Sequence, residues 1–180
     1  MHEMVDWLDS RTVLLAANAA DRDAKYGEAP PGVIVSSGLT KQVWQKVGTG
    51  SSNDDWLDVY SDTGWVTTGF LPAPGWSIGS YMKARRICDS INIRGELVRT
   101  GGTIQGQADG NLSPDVPLVT IPSIFAPGSP DRVEGSMRAS YTSGAVELGN
   151  DAIVMLADIH TNSGIGEGQY LRFTFPFFAN

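Results

Sequence analysis

Polar and apolar residues alternate along much of the chain after residue 75. A period of two places successive side chains on opposite faces of a β-strand, so that one face is buried and the other is exposed. In the segment 83–100 the predicted buried face consists of Ile91, Ile93, Gly95 and Leu97. In the segment 168–180 it consists of Leu171, Phe173 and Phe175, which alternate with Tyr170, Arg172 and Thr174. Turn residues separate such runs at intervals typical of an antiparallel β-sandwich.

The pattern near the N-terminus is different and predicts one helix, from Ser10 to Ala24. Asp9 or Ser10 is suited to cap its first turn, and Trp7 is placed to anchor it. Its apolar face is small and rich in alanine: Val13, Leu14, Ala17, Ala20 and Ala24. A face of this kind packs either against its own domain or against copies of itself in an oligomer, and the sequence leaves both open.

These patterns predict a mainly β protein in three parts. Residues 1–26 form an N-terminal helical segment. Residues 27–71 form a small β-hairpin module with the strands "VIVSS", "KQVWQKV" and "DWLDVYS". After a proline-glycine joint at 71–76, residues 76–180 form a jelly-roll-like antiparallel β-sandwich. The 21 glycines and 10 prolines show no collagen period and are expected in turns.

Charge and composition exclude several classes of function. The net charge of −7 disfavours a nucleic-acid partner. The sequence contains no apolar run long enough to span a membrane, and residues 1–10 do not resemble a secretory leader. Cys88 has no second cysteine with which to form a disulfide bond, and we expect it to be a small packed residue rather than a nucleophile.

The sequence gives only weak evidence for catalytic or metal-binding groups. His2 and His160 are the two histidines, and zinc-type cysteine pairs are absent from the sequence. The acidic loop 48–58 lacks the spacing of a calcium-binding hand, so we expect a solvated loop. Two pairs of carboxylates could serve a glycosidase, Asp131 with Glu134 or Glu147 with Asp151, but the sequence favours neither. We therefore predict no cofactor, no metal and no enzymatic activity.

Aromatic and basic residues give the candidate binding site. Trp44, Trp56, Trp65 and Trp76 are clustered, and such residues form either a core or an exposed platform for sugars. Arg85 and Arg86 are predicted to open the first strand of the sandwich, where they either bond neighbouring oxygens or contact an anionic glycan. The candidate glycan- or receptor-binding residues are Trp65, Trp76, Tyr81, Arg85 and Arg86.

The order of several short motifs resembles a known family. The motifs "YSDTGW", "ARR", "RGELVRTGGTI", "VTIPSIFAP", "GAVEL" and "YLRFTFPF" are similar to the C-terminal region of minor tail proteins of siphophages that infect actinobacteria. The upstream "RDAKYG" and "PPGVIV" resemble the short helix-and-hairpin unit that precedes this region. The resemblance implies a homotrimer at the tail tip, where the host is contacted. Members of that family usually carry glycine at the position of Cys88.

Three functions follow as hypotheses. The first is a non-enzymatic structural protein of a phage tail tip or fibre, located in the virion, with other tail proteins and a host-surface glycan as partners. The second is a monomeric, lectin-like carbohydrate-binding module that uses Trp65 or Trp76 together with Tyr81. The third is an enzyme that depolymerises glycans.

Overall fold

The computed structural model describes residues 13–128 and 131–179, and the chain divides into two compact units between Thr63 and Gly64. Both units are built mainly of antiparallel strands, which confirms the predicted mainly β class. Among the described residues, no helix has the length and apolar character needed to cross a membrane.

The first unit is a four-stranded sheet with one helix. Its strands are β1 (Val13–Leu15), β2 (Ile34–Ser37), β3 (Gln42–Lys46) and β4 (Trp56–Ser61), in that order across the sheet. β1 and β2 are parallel, and the other pairs are antiparallel. Helix α1 (Ala19–Tyr26) lies between β1 and β2 in the chain, and a 3₁₀ turn (Asn53–Asp55) precedes β4.

The prediction of a helix from Ser10 to Ala24 is wrong for the described residues that precede Ala19. Residues Val13–Leu15 form β1, because their apolar side chains and backbone pair in register with Ile34–Ser36. The helix starts only at Ala19, where Asn18 caps it by accepting a hydrogen bond from the Asp21 N–H at 3.0 Å. The proposed caps Asp9 and Ser10 and the proposed anchor Trp7 lie outside the described residues.

The core of the first unit lies between its helix and its sheet. Val35, Trp44 and Trp56 are buried there, and Ala19 and Tyr26 of α1 pack against them. The helix therefore packs against the sheet of its own unit, which is one of the two alternatives considered for it.

The second unit contains ten strands. They are β5 (Leu71–Pro72), β6 (Trp76–Ile87), β7 (Ser90–Arg99), β8 (Ile104–Gln105), β9 (Asn111–Thr120), β10 (Arg132–Ala139), β11 (Ser143–Gly149), β12 (Ile153–Asp158), β13 (Gly164–Ile165) and β14 (Tyr170–Phe178). Eight of them form one sheet in the order β5-β9-β12-β11-β10-β14-β7-β6, and β8 pairs with β13 in a small separate sheet.

The large sheet is one continuous layer that curves back on itself. Its edge strands, β5 and β6, are consecutive in the chain and are joined by residues 73–75. A link this short spans at most about 14 Å, so the two edges lie close together at that end. Two separate layers, as in the predicted jelly-roll-like sandwich, are not formed by the described strands. The reason is that β14 hydrogen-bonds to both β7 and β10 and so connects them.

The inner face of the large sheet carries the core, as the alternation predicted. Ile91, Ile93 and Leu97 of β7 are buried, and so are Leu171, Phe173 and Phe175 of β14. Gly95 completes the β7 face, and a Cβ at this position would lie 2.6–2.7 Å from Met82 and Phe173. The core is therefore packed closely enough that glycine is required there.

The division between the units lies upstream of the joint at 71–76 that the sequence favoured. Val66 forms a bridge to Ala84, and Phe70 is buried in the core of the second unit. Leu71 and Pro72 pair with β9. Residues 64–75 thus pack with the second unit because their apolar side chains and backbone groups find partners there.

Candidate functional site

The outer face of the large sheet presents a group of polar and charged side chains. The strand register aligns Lys83 with Arg94, Arg94 with Thr174, and Thr174 with Ser136 across four adjacent strands. One step along the strands, Glu96 is aligned with Arg172, and Arg172 with Arg138. Because side chains two residues apart share a face, both rows lie on the side of the sheet opposite to the core.

Two exposed rings lie against these cations. The Lys83 ammonium is 4.7 Å from the centre of the Trp65 ring and 5.9 Å from that of Tyr81, and the Arg94 guanidinium is 5.8 Å from Trp65. Such contacts contribute about 0.5–1 kcal/mol each at exposed positions. Trp65 is 41% exposed and Tyr81 is 37% exposed. The cations thus hold the rings in place while part of each ring remains accessible to a ligand.

Glu96 is a buried carboxylate beneath this face. It accepts hydrogen bonds from the Ser80 N–H at 2.9 Å and the Ser80 hydroxyl at 2.7 Å, and Arg172 Nε donates to it at 2.7 Å. These donors, Ser80 first, lower the pKa of Glu96 to about 2. The Arg172 guanidinium also lies 4.7 Å from the Tyr170 ring. Glu96 and Tyr170 therefore fix the direction of Arg172.

A groove runs along this face, and we call it the basic groove. It has a volume of about 410 Å³ and is lined by Tyr81, Arg94, Ser136, Met137, Arg138, Arg172, Phe173 and Thr174. Of these lining residues, all of which the structure describes, three are arginines and none carries a carboxylate. The positive charge is local, since the chain as a whole has a net charge of −7. The arrangement is suited to bind an anionic, hydroxyl-bearing ligand against two aromatic rings.

The structure brings two of the five predicted site residues to the groove. Tyr81 lines it, and Trp65 lies beside it through Lys83 and Arg94. Trp76 is only 5% exposed and packs in the core, with the Arg99 guanidinium 5.0 Å from its ring. Its indole therefore offers no open face to a sugar, and it belongs to the core alternative considered for the tryptophans.

Arg85 and Arg86 lie near the end of β6, not at the start of a strand as predicted. Arg86 Nε donates to the Cys88 carbonyl at 2.8 Å, and its guanidinium is 3.5 Å from the Asp89 carboxylate. These contacts close the turn between β6 and β7, where Cys88 is half-buried with a φ of +50°. Neither arginine lines the basic groove.

Sequence reasoning missed the three arginines that line the groove. Arg94 and Arg172 alternate with the predicted buried residues, so their outward direction was readable from the period of two. Their proximity to Arg138 could not be predicted from the sequence, because it depends on the pairing of β14 with both β7 and β10. A local sequence pattern does not specify which distant strands become neighbours.

The other candidate groups are occupied by local contacts. In the acidic loop, the Asp55 carboxylate accepts from the Ser52 hydroxyl at 2.8 Å, which lowers its pKa, and Asn53 accepts from Arg22 at 2.9 Å. Glu147 accepts from Arg132 at 2.9 Å, and Asp151 accepts from the Ile153 N–H at 3.2 Å. Within the described ranges, no three His, Cys, Asp or Glu side chains are grouped so that they could hold a metal ion.

Comparisons with known proteins do not identify a family for this chain. No family model matches the chain, and no curated protein matches it. Among solved structures, the chain is similar to the head domain of phage bIL170, a receptor-binding domain of a lactococcal phage. The alignment has 17% sequence identity and a TM-score of 0.45, and it covers 65% of this chain and 98% of that domain. A likeness of this size carries no argument about function.

Proposed function

We propose that this protein is a non-enzymatic structural component of a phage tail, located in the virion, and that it binds a glycan on the host surface through the basic groove. The observation that carries the binding role is the pair of exposed rings, Trp65 and Tyr81, held beside Lys83 and Arg94 at the outer face of the large sheet. The tail assignment is supported by the order of sequence motifs that resembles minor tail proteins of siphophages infecting actinobacteria.

Aromatic rings with cations beside them suit a sugar ligand for a physical reason. A sugar ring has apolar C–H faces that pack on an indole or a phenol, and hydroxyl groups around its edge that accept from guanidinium donors. Ser136 and Thr174 add hydroxyl groups within the same groove. Because Tyr81, Ser136 and Thr174 lie on paired strands, this part of the site is formed before the ligand arrives and less conformational entropy is lost on binding.

The homotrimer is part of the same proposal, and the outer face of the first unit supports it. The register aligns Val13 with Ile34 and, further across the sheet, Gln45 with Leu57. Val13 is 52% exposed, Leu15 is 69% exposed and Leu57 is 53% exposed. Apolar side chains that are exposed together on one face of a sheet are typical of a surface that packs against another chain. We propose copies of this chain as that partner, with other tail proteins as further contacts.

The test of glycan binding uses the full chain, labelled with a fluorophore and incubated with a panel of actinobacterial cells. We expect binding to at least one strain, and a loss of at least tenfold when Trp65 and Tyr81 are both replaced by alanine. Phe178→Ala is the matched control, because Phe178 is an exposed aromatic residue of the same unit that does not line the groove. Equal binding by the double variant and the control would refute a role for the groove, and no binding to any strain would refute the proposal as a whole.

A lectin-like monomer is the second candidate, and it is favoured by the fact that all the residues lining the basic groove lie within the second unit. Light scattering separates the two, since a homotrimer has three times the monomer mass of 19.3 kDa. The absence of catalysis is tested separately. Purified cell-wall glycan incubated with the protein should release no new reducing ends, and a steady release would make it a depolymerase.

A further inference from the structure

The basic groove does not end at Arg138. A second groove of about 500 Å³ begins at the same residue and is lined by Arg138, Ala139, Ser140, Tyr141, Thr142, Ser143 and His160. We call it the Tyr141 groove. A third groove, of about 420 Å³, shares Ser143 and His160 with it and continues to Asp109 and Asp158. Shared lining residues place the three grooves next to one another in the second unit, and we treat them as one path for a ligand.

The charge along this path is uneven. The basic groove carries Arg94, Arg138 and Arg172, whereas the third groove carries the carboxylates of Asp109 and Asp158. A ligand with an acidic group is therefore attracted to the first part of the path and repelled from the last. The Tyr141 groove lies between them, with a phenol ring that is 87% exposed.

Arg138 lies where the basic groove and the Tyr141 groove meet. It is exposed, and its guanidinium has no hydrogen bond or ion pair with any residue that the structure describes. Arg172, its neighbour across the β10–β14 pair, is bonded to Glu96, and Arg94 donates to Asn92 at 2.8 Å. Arg138 therefore has its whole guanidinium available to an anion, whereas Arg94 and Arg172 each use Nε and keep their Nη donors available.

The Tyr141 groove is ordered by hydrogen bonds around its base. The buried Thr142 hydroxyl is 2.6 Å from the Ser163 hydroxyl, and the His160 N–H donates to the Ser143 carbonyl at 2.9 Å. The hairpin between β10 and β11 is thus held in place, and Tyr141 is presented to solvent on a supported turn.

We infer that the ligand is an acidic glycan polymer rather than a single sugar or a neutral chain. One acidic group binds between Arg138 and Arg172, and the chain continues past Arg138 onto Tyr141. This inference rests on the proposed glycan-binding function and specifies the chemical class and the length of the ligand. The anion is either a carboxylate or a phosphodiester, since a guanidinium group binds both by paired hydrogen bonds.

The test measures binding of the full chain to three series of oligomers by calorimetry. Oligogalacturonates of one to eight sugars carry carboxylates, glycerol phosphate oligomers carry phosphodiesters, and maltooligosaccharides of the same lengths are neutral. We expect binding in at least one acidic series, an affinity that increases with length, and a fall of at least tenfold when salt is raised from about 0.05 M to about 0.5 M. The series that binds identifies the anion.

Three variants locate the site. Arg138→Ala should weaken binding of acidic oligomers at least tenfold, and Tyr141→Ala should weaken only the longer ones. Arg132→Ala is the matched control, because it removes the same charge from the same strand. Arg132 is paired with Glu147 and lines neither the basic groove nor the Tyr141 groove. Thermal unfolding of each variant checks that the fold is kept.

The inference is overturned if neutral oligomers bind as tightly as acidic ones, if affinity does not depend on length, if Arg132→Ala and Arg138→Ala have equal effects, or if no acidic oligomer binds. This failure is distinct from failure of the proposed function. Neutral oligomers that bind through Trp65 and Tyr81 would refute the acidic ligand and leave the glycan-binding role intact. Cell binding that is insensitive to Trp65 and Tyr81 would refute the glycan-binding role itself.

Discussion

Arg172 donates from Nε to the Glu96 carboxylate at 2.7 Å, across the pairing of β14 with β7. The two partners differ in exposure, since the side chain of Glu96 is 7% exposed and that of Arg172 is 53% exposed. The acid is therefore part of the sheet, and the cation is presented to the groove. A buried acceptor beneath an exposed donor orients the guanidinium without covering it.

The first prediction concerns the stability that Glu96 contributes as a function of pH. Its pKa is about 2 in the folded chain, below the ordinary value of 4.5, so its contribution is complete above pH 4.5 and is lost as the pH falls toward 2. Glu96→Gln should lower the free energy of unfolding by on the order of 2 kcal/mol at pH 7. Urea unfolding of both proteins at several pH values measures this difference.

The decisive observation is how the difference in unfolding free energy between the native chain and Glu96→Gln changes with pH. The two unfolding free energies should converge as the pH approaches 2, because the protonated Glu96 no longer binds Arg172 as a carboxylate. Glu147→Gln serves as the control, since Glu147 forms an ion pair with the exposed Arg132 and should change stability by less than about 1 kcal/mol. A Glu96→Gln difference that stays constant from pH 7 to pH 2 would show that the group acts by packing alone.

The second prediction concerns Gly144, at the start of β11. A Cβ at this position would lie 2.0 Å from the carbonyl oxygen of Asp158, which is a backbone atom and has little freedom to move. Gly144→Ala should therefore destabilise the protein by about 2–4 kcal/mol. Gly102→Ala is the control, because nothing lies within 4 Å of a Cβ there. Thermal unfolding compares the two, and equal melting temperatures would contradict the close approach of β11 to Asp158.

Much of the second unit was predictable from the alternation of residue types, whereas its sheet order was not. Ile93 and Phe175 were assigned correctly to the buried face, because burial of a strand face follows from the residues themselves. The error at Val13 arose because three apolar residues near an alanine-rich stretch fit a helical spacing as well as a short strand. Pairing with Ile34 decides between the two, and that contact is not local in sequence.

The candidate site, like the fold, could be predicted only in part from the sequence. Trp65, Trp76 and Tyr81 were all predicted as candidate binding residues, but Trp65 and Tyr81 are partly exposed whereas Trp76 is buried. Residue type alone does not separate these roles, because an indole serves equally well in a core and on a surface. Arg138 reaches the groove only because β10 pairs with β14, which lies more than thirty residues away in the chain.

The third prediction concerns Cys88, in the turn between β6 and β7. Its φ of +50° is in the left-handed region, which favours glycine because a Cβ is crowded there. Cys88→Gly should raise the free energy of unfolding by about 0.5–1 kcal/mol. Cys88→Ala keeps the Cβ and should not stabilise the protein. A gain from alanine equal to that from glycine would instead indicate that removal of the thiol is responsible.

The fourth prediction concerns Arg22, a buried cation between two tryptophans in the first unit. Its guanidinium lies 4.9 Å from the Trp44 ring and 4.7 Å from the Trp56 ring, and the residue is 1% exposed. It donates to Asp23 at 2.8 Å and to Asn53 at 2.9 Å. Replacing Arg22 by alanine leaves a cavity between the rings and leaves Asp23 without its partner, so the free energy of unfolding should fall by about 3–5 kcal/mol.

A matched pair of variants separates the contributions of charge and shape. Arg22→Lys keeps the cation but loses the planar group that stacks between the rings, and we expect about half of the alanine effect. Lys25→Ala removes an exposed cation of the same helix that pairs with Asp21, and it should lower the free energy of unfolding far less than Arg22→Ala does. Tryptophan fluorescence during urea unfolding reports on Trp44 and Trp56 directly. If Arg22→Ala were no more damaging than Lys25→Ala, the two rings would pack without the guanidinium, and Arg22 would not be a core residue of the first unit.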